Sequence, residues 1–148
     1  MMTGLFVGTF DPFTLGHDSI VRRALPLFER IVIGVGVNPA KQTLLSAEER
    51  VQAIADLYSD LPQIEVLPFD DLTVDLAHRV GAQCIIKGVR SVADFEYERA
   101  QADFNRRMGG VETLLLYAEP QWESLSSTMV RTLQHFGKPI DEYLPHKQ

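Results

Sequence analysis

Thr14-Leu15-Gly16-His17 sets a hydroxyl, a residue without a Cβ and an imidazole together, directly behind the apolar run Leu5-Phe6-Val7 and the turn Gly8-Thr9-Phe10-Asp11-Pro12. A strand that passes through small residues into a helix brings backbone N–H groups within reach of an anion. The helix start adds its partial positive charge. Gly8 and Gly16 leave room for a polyanion to approach the main chain, and Thr9 and His17 add a hydroxyl and a ring nitrogen there. No Gly-Lys-Ser/Thr follows a strand, as a P-loop requires, and the Gly-x-Gly-x-x-Gly of a dinucleotide site is missing. The chemistry expected is nucleotide binding in which a histidine, in place of a P-loop lysine, sits over the phosphates.

Other groups suited to phosphate lie far apart in the chain: Lys41, Lys87, Arg90 and the hydroxyl run Ser126-Ser127-Thr128. Taken singly, each has an ordinary reading, the lysines as solvated charges and the hydroxyl run as a helix cap. They acquire a common purpose only if the fold returns them to one place, and the hydrophobic pattern predicts that it does. Leu5–Val7 reads as a first strand, Ile31–Val37 as a β-branched central strand, Ile64–Leu67 as a third strand broken by Pro68, Gln83–Lys87 as a fourth and Thr113–Tyr117 as a fifth. Between them, Ser19–Phe28 has helical spacing with a conflict at Pro26. Ser46-Ala47-Glu48-Glu49 is a capping box that opens a second helix. Val74–Val80 is a helix closed by Gly81, Val92–Met108 one that ends at Gly109-Gly110, and Ser127–Phe136 one stopped by Gly137 and Pro139.

Strand and helix thus alternate along the whole chain without a repeat or a break in composition, which predicts a single α/β domain with a Rossmann-like, doubly wound, five-stranded parallel sheet. Ligands of such sheets bind beyond the carboxyl ends of the strands. Thr9, Phe10, Thr14 and His17 follow the first strand; Asn38, Pro39 and Lys41 the second; Asp70, Asp71 and Thr73 the third; Lys87, Gly88, Val89 and Arg90 the fourth; and Trp122, Glu123, Ser124 and the hydroxyl run the fifth. Cations, a histidine and a hydroxyl-rich helix start on one sheet edge describe a polyphosphate site.

Composition narrows the partners. The 148 residues are 45% hydrophobic and 23% charged, ordinary values for a folded domain. The net charge of -6 argues against a general nucleic-acid or anionic-membrane binder. The one cysteine, Cys84, lies in an apolar run and reads as a buried thiol. No apolar run approaches the roughly 18 residues of a membrane span, and the start lacks a signal-peptide pattern, so the expected location is the cytoplasm.

With these residues in view, the chain resembles the nucleotidyltransferases marked by a (T/H)xGH motif, and among them the phosphopantetheine adenylyltransferases. The resemblance rests on Gly8 through His17, on Lys87-Gly88-Val89-Arg90-Ser91-Val92-Ala93-Asp94-Phe95-Glu96-Tyr97-Glu98 and on Leu125-Ser126-Ser127-Thr128. It implies adenylyl transfer from ATP to 4′-phosphopantetheine with Mg²⁺ carried on the ATP phosphates. The related acceptors nicotinamide mononucleotide and glycerol 3-phosphate, or a non-catalytic nucleotide-binding module, are the alternatives. It makes His17, Arg90 and Lys41 the catalytic set, with His17 at the α-phosphate, and gives Thr9, Lys41, Thr73 and Lys87 to the acceptor. ATP would be held by Thr9, Phe10, His17, Gly88, Val89, Arg90 and Glu98, and by Trp122, Glu123, Ser124, Leu125, Ser126, Ser127 and Thr128. A homohexamer built as a dimer of trimers is implied as well. Lys87 stands where these proteins usually carry arginine, which keeps the charge but not the bidentate fork.

Overall fold

The computed structural model describes residues 2–147. Five strands form one parallel sheet in the order β3-β2-β1-β4-β5: β1 Thr3–Gly8, β2 Arg30–Gly36, β3 Ile64–Phe69, β4 Cys84–Val89 and β5 Glu112–Tyr117. The helices are α1 Leu15–Ala24, α2 Ala47–Leu57, α3 Thr73–Val80, α4 Val92–Gly109 and α5 Ser127–His135. Short 3₁₀ turns occupy Leu25–Leu27, Pro120–Trp122 and Asp141–Tyr143.

Alternation along β1 shows why the sheet is covered twice. Phe6 points into a core with Ile20, Val21 and Ala24 of α1 and Ile54 of α2. Its neighbours Leu5 and Val7 point into a second core with Leu76 and Ala77 of α3. Each face therefore needs its own helices, which is the doubly wound arrangement the apolar strands predict.

Several element boundaries differ from the sequence reading, and three stand out. Helix α1 begins at Leu15, not Ser19, and stops at Ala24; of the two outcomes open at Pro26, a kink or a new turn, the structure has the turn, a 3₁₀ turn over Leu25–Leu27. Pro68 does not break β3, because β3 is an edge strand and Pro68 needs a partner on one side only, where it pairs with Val35. Strand β4 runs past Lys87 to Val89, pairing Gly88 with Leu116 and Val89 with Tyr117.

The register also opens the crevice. β1 pairs with β2 as far as Gly8↔Val35, and β4 with β5 as far as Val89↔Tyr117, but β1 and β4 pair only to Phe6↔Ile86. The two central strands part at their carboxyl ends, at the point where the connections diverge to opposite sides of the sheet. That is the expected position of a ligand site.

Candidate active site

A cavity of about 350 Å³ fills this crevice. Its walls include Thr9, Phe10 and His17 from the first strand's side, Lys41 from the loop after β2, and Lys87, Gly88, Arg90, Asp94 and Glu98 from β4 and α4. Trp122, Leu125, Ser126, Ser127, Thr128 and Arg131 close it. Residues separated by more than half the chain thus face one space.

His17 owes its orientation to helix-end physics. Thr14 is the N-cap of α1 and His17 its third residue; the Thr14 hydroxyl accepts from the His17 N–H at 3.4 Å, and His17 Nδ1 accepts from the Thr14 N–H at 2.9 Å. This is a capping box with histidine in the position usually held by Glu or Gln. A backbone N–H only donates, so Nδ1 must be the unprotonated nitrogen and the neutral ring carries its proton on Nε2. Phe6, Phe10 and Phe13 surround the ring at centroid distances of 6.3, 5.0 and 5.2 Å. Burial among them, helped by the positive charge of Arg90, lowers the His17 pKa from 6.5 to about 4. At neutral pH the site therefore presents an uncharged N–H donor.

The turn that carries this arrangement is tightly made. Phe10 adopts φ 54°, a left-handed conformation uncommon outside glycine, and folds its ring back over Gly8. A Cβ at Gly8 would stand 2.8 Å from that ring, so Gly8 makes room for Phe10. Gly88 plays the same part on β4, where a Cβ would meet Ile20 of α1 at 2.9 Å. Helix α1 is tied to α2 by the Tyr58 hydroxyl, which donates to Asp18 at 2.6 Å. Burial, then this bond, raises the Tyr58 pKa.

The cations sit on defined partners. Lys41 Nζ donates to Thr9 Oγ1 at 3.2 Å. Lys87 Nζ lies 3.5 Å from Glu98 Oε2, a buried oxygen without a hydrogen-bond partner. Arg90 spans Asp94, at 3.4 Å, and the Leu125 carbonyl, at 3.2 Å. Ser126 caps α5 by accepting from the Met129 N–H at 3.1 Å, and Ser127 Oγ donates to the Pro12 carbonyl at 2.7 Å. The first N–H groups of α5 have no acceptor within the helix, and Ser126, Ser127 and Thr128 at that end line the cavity.

Not every expected residue reaches the cavity. Val89 is buried within β4, Glu123 and Ser124 are exposed beyond the 3₁₀ turn, and none of the three lines it. Thr73, the first residue of α3, lies outside it too. Asn38, Pro39, Asp70 and Asp71 form a neighbouring hollow of about 320 Å³, which shares Thr9 and Lys41 with the main cavity. The sequence reading gives no role to three charged lining residues, Asp11, Asp94 and Arg131. Arg131 donates to the Asp11 carbonyl at 2.8 Å and to Thr128 Oγ1 at 3.1 Å, and Asp94 braces Arg90. Their signals were helix spacing, one turn beyond Ser127 and one turn beyond Arg90.

Among known families, the one described as cytidylyltransferase-like matches residues 5–133. A protein of Phocaeicola vulgatus named phosphopantetheine adenylyltransferase is 48% identical over 145 residues, covering 98% of this chain and 96% of that one. One of the same name from Rhizorhabdus wittichii is 40% identical over 148 residues, covering 99% and 90%. Among solved structures, a bifunctional NMN adenylyltransferase/ADP ribose pyrophosphatase from Francisella tularensis superposes with a TM-score of 0.74 at 18% identity. That match covers 99% of this chain but 46% of the bifunctional protein, so this chain spans less than half of it. A putative nicotinate-nucleotide adenylyltransferase from Vibrio parahaemolyticus gives 0.69 at 18% identity, covering 99% and 88%. At such identities the structures bear on the fold alone.

Proposed function

The chain belongs to the cytidylyltransferase-like family and, within it, to the phosphopantetheine adenylyltransferases, and from that membership we propose how its residues divide the work. The enzyme transfers the adenylyl group of ATP to 4′-phosphopantetheine, giving dephospho-coenzyme A and pyrophosphate. An oxygen of the acceptor phosphate forms a bond to the ATP α-phosphorus while the bond from that phosphorus to the bridging oxygen of the β-phosphate breaks. The attacking group is already an anion, so no protein base is needed. Catalysis consists of aligning two anions and stabilising the charge that builds up on the α-phosphate.

His17 is the donor for that charge. Its Nε2–H, aimed by the capping box, would donate to a non-bridging α-phosphate oxygen. The phosphate contacts of Arg90, Ser126, Ser127 and Thr128, together with the α5 start, fit the triphosphate end. Arg131 adds a cation there. Lys41 and Thr9 fit the junction between the two substrates. Lys87 would take the acceptor phosphate by loosening its 3.5 Å pairing with Glu98, supplying charge without a planar fork. The assignment of Thr73 to the acceptor and of Phe10, Gly88, Val89, Glu98, Trp122, Glu123, Ser124 and Leu125 to ATP follows the family resemblance. Val89 is the least free of these, since its side chain is buried and its carbonyl accepts from the Ala118 N–H at 2.9 Å.

The donor set is compatible with Mg²⁺ that travels on ATP. Among the described residues no group of three or more His, Cys, Asp or Glu converges on one point. The cavity carboxylates are also engaged: Asp11 by backbone N–H groups, Asp94 by Arg90 and Glu98 by Lys87. When bound, the ion would neutralise charge on the triphosphate.

Assembly as a homohexamer is part of the same reading. It is supported by large exposed side chains on α4 and beside it: Val92, Phe95, Tyr97, Phe104, Met108 and Tyr117. Sedimentation of the purified protein tests it. No described helix is long and apolar enough to cross a membrane, and we place the enzyme in the cytoplasm with its proposed substrates.

The observation that carries the mechanism is the Thr14 N–H bond to His17 Nδ1, which leaves Nε2 as the donor in a cavity that also receives Arg90, Lys41 and Lys87. Purified protein with Mg²⁺, ATP and 4′-phosphopantetheine should release pyrophosphate at a rate that nicotinamide mononucleotide or glycerol 3-phosphate with CTP does not match. No release above a no-acceptor control would refute the reading.

A further inference from the structure

Asp11 and Arg50 are buried charges, 2% and 3% exposed, and among the described residues neither forms an ion pair with an opposite charge. Each is instead satisfied by backbone. Asp11 Oδ2 accepts from the Leu44 N–H at 2.9 Å and Oδ1 from the Leu45 N–H at 3.0 Å. Arg50 donates to the carbonyls of Thr9 at 2.7 Å, Gly36 at 3.0 Å and Leu45 at 3.2 Å. All five bonds converge on one junction: the turn after β1, the end of β2 and the segment that leads from Lys41 into α2. The whole connection from β2 to α2, residues 37–46, contains no helix or strand. Its remaining polar contacts are short-range, such as Lys41 N–H to the Asn38 carbonyl and Thr43 Oγ1 to the Leu45 carbonyl, apart from Val37 N–H to the Phe69 carbonyl at its start and the Lys41 side chain itself on Thr9. The main-chain carbonyl of Asp11 also accepts from Arg131, so this one residue joins the Lys41 loop to α5 across the cavity.

A carboxylate kept out of water costs free energy unless it serves as an acceptor, and this one is spent wholly on two loop N–H groups. We propose that Asp11 is a positioning residue for the acceptor side of the reaction: its carboxylate fastens the Lys41 loop to the turn behind β1 and thereby sets where the Lys41 ammonium stands relative to Thr9 and His17. Arg50 completes the brace by fixing the carbonyls of Thr9 and Leu45. The inference rests on the adenylyltransferase reading for its consequence and on the hydrogen bonds alone for the brace.

Asp11→Asn tests it, because one of the two acceptor oxygens becomes an N–H that meets a donor. Amide exchange at Leu44 and Leu45 in the unliganded protein should speed up about tenfold or more. kcat/KM for 4′-phosphopantetheine should fall about 10–100-fold, the scale of a misplacement of about an ångström, with ATP affinity within about threefold. A merely structural role would lower stability without choosing between substrates, so the deciding measurement is a double-mutant cycle. With Lys41→Ala already in place, Asp11→Asn should cost less than about threefold further. Should Asp11→Asn fail to fold, Leu44→Pro removes one loop N–H at a residue whose side chain is exposed and leaves the carboxylate in place. Faster exchange at the Leu45 N–H, the one of the pair that remains, and the same kinetic pattern are expected. Unchanged exchange, or equal losses with and without Lys41, overturns the positioning role. A wild-type protein that shows no turnover breaks the functional reading instead, and the two failures are told apart before any variant is made.

Discussion

Two helix starts in this molecule are built with the same device and do different work. At α1, Thr14 and His17 exchange side-chain and backbone hydrogen bonds across three residues; at α2, Ser46 and Glu49 do the same, both at 3.1 Å. Glu49 is exposed, and its carboxylate is consumed by the cap. His17 closes the box with one nitrogen and has a second to spare, held in a half-buried site against three phenylalanines. The difference between a structural cap and the donor proposed for catalysis is therefore the identity of one residue and the walls around it. The precision of the donor comes from local helix physics, which any folded α1 reproduces.

The comparison breaks most visibly at His17. His17→Ala removes the donor and half of the cap, and kcat should fall about 10²–10³-fold, the loss seen when an oxyanion donor is deleted, with ATP affinity changed far less. His17→Glu makes the first box chemically like the second. It keeps the cap, so the protein should fold, but it supplies an anion where a donor is needed and should be at least as slow as the alanine variant. Steady-state kinetics with a thermal melt for each variant separates donor from cap. Near-normal turnover in either would mean that the two helix starts are equivalent after all.

Thr14→Val is the next largest. Thr14 is 1% exposed, so the isosteric change keeps the packing and deletes the hydroxyl that accepts from the His17 N–H. Loss of a cap costs about 0.5–2 kcal/mol of stability. Because Nδ1 still accepts from the Thr14 N–H, the ring should stay roughly in place and kcat should drop by about tenfold or less, within the range of one weakened hydrogen bond. A loss as large as that of His17→Ala would give Thr14 a direct role at the phosphate.

The same pair shows what the sequence makes readable. Ser46-x-x-Glu49 is a familiar helix opening, and the start of α2 is read correctly from it. Thr14-x-x-His17 has identical spacing, but histidine is not an expected box partner, so His17 is read only as at or near the first helical turn and the helical spacing from Ser19. The residues that follow strand ends were legible because an open parallel sheet collects them on one edge, and His17, Lys41, Lys87, Arg90 and Ser127 do meet there. Side-chain direction was not legible. Val89 was assigned by motif position, yet β4 continues through it and turns its side chain into the core. Asp11 read as a turn residue, because nothing in the sequence says that a loop more than thirty residues later will spend its N–H groups on it.

Acid should separate the two boxes by their pH windows. The folded state holds His17 near pKa 4 against 6.5 in the open chain, so between those values the unfolded state binds the extra proton. Stability contributed by His17 is then complete above about pH 6.5 and declines as pH falls toward 4. Glu49, whose pKa is lowered by its bonds to Ser46, contributes stability that is present at neutral pH and lost only as pH falls below its ordinary 4.5. Urea midpoints measured between pH 7 and 5 should fall for wild type and fall less for His17→Gln, whereas Glu49→Gln should leave that slope intact. The His17 ring resonances should stay those of a neutral Nε2–H tautomer down to pH 5.5; imidazolium at pH 6.5 would remove the uncharged donor from the mechanism.

The smallest effect belongs to the box that does no chemistry. Ser46→Ala deletes the oxygen that accepts from the Glu49 N–H and should cost about 1 kcal/mol, read as a shift of a few degrees in Tm. Its kcat and both KM values should stay within about twofold of wild type, because the segment ahead of α2 is held by Asp11 and Arg50 through Leu44 and Leu45, not by the cap. The contrast with Thr14→Val is the point of the measurement, since both changes remove one hydroxyl from one capping box at similar cost to stability. If Ser46→Ala slowed turnover as much as Thr14→Val, helix capping in general would be limiting the reaction. If only Thr14→Val slows it, the effect is confined to the helix start whose third residue carries a nitrogen to spare.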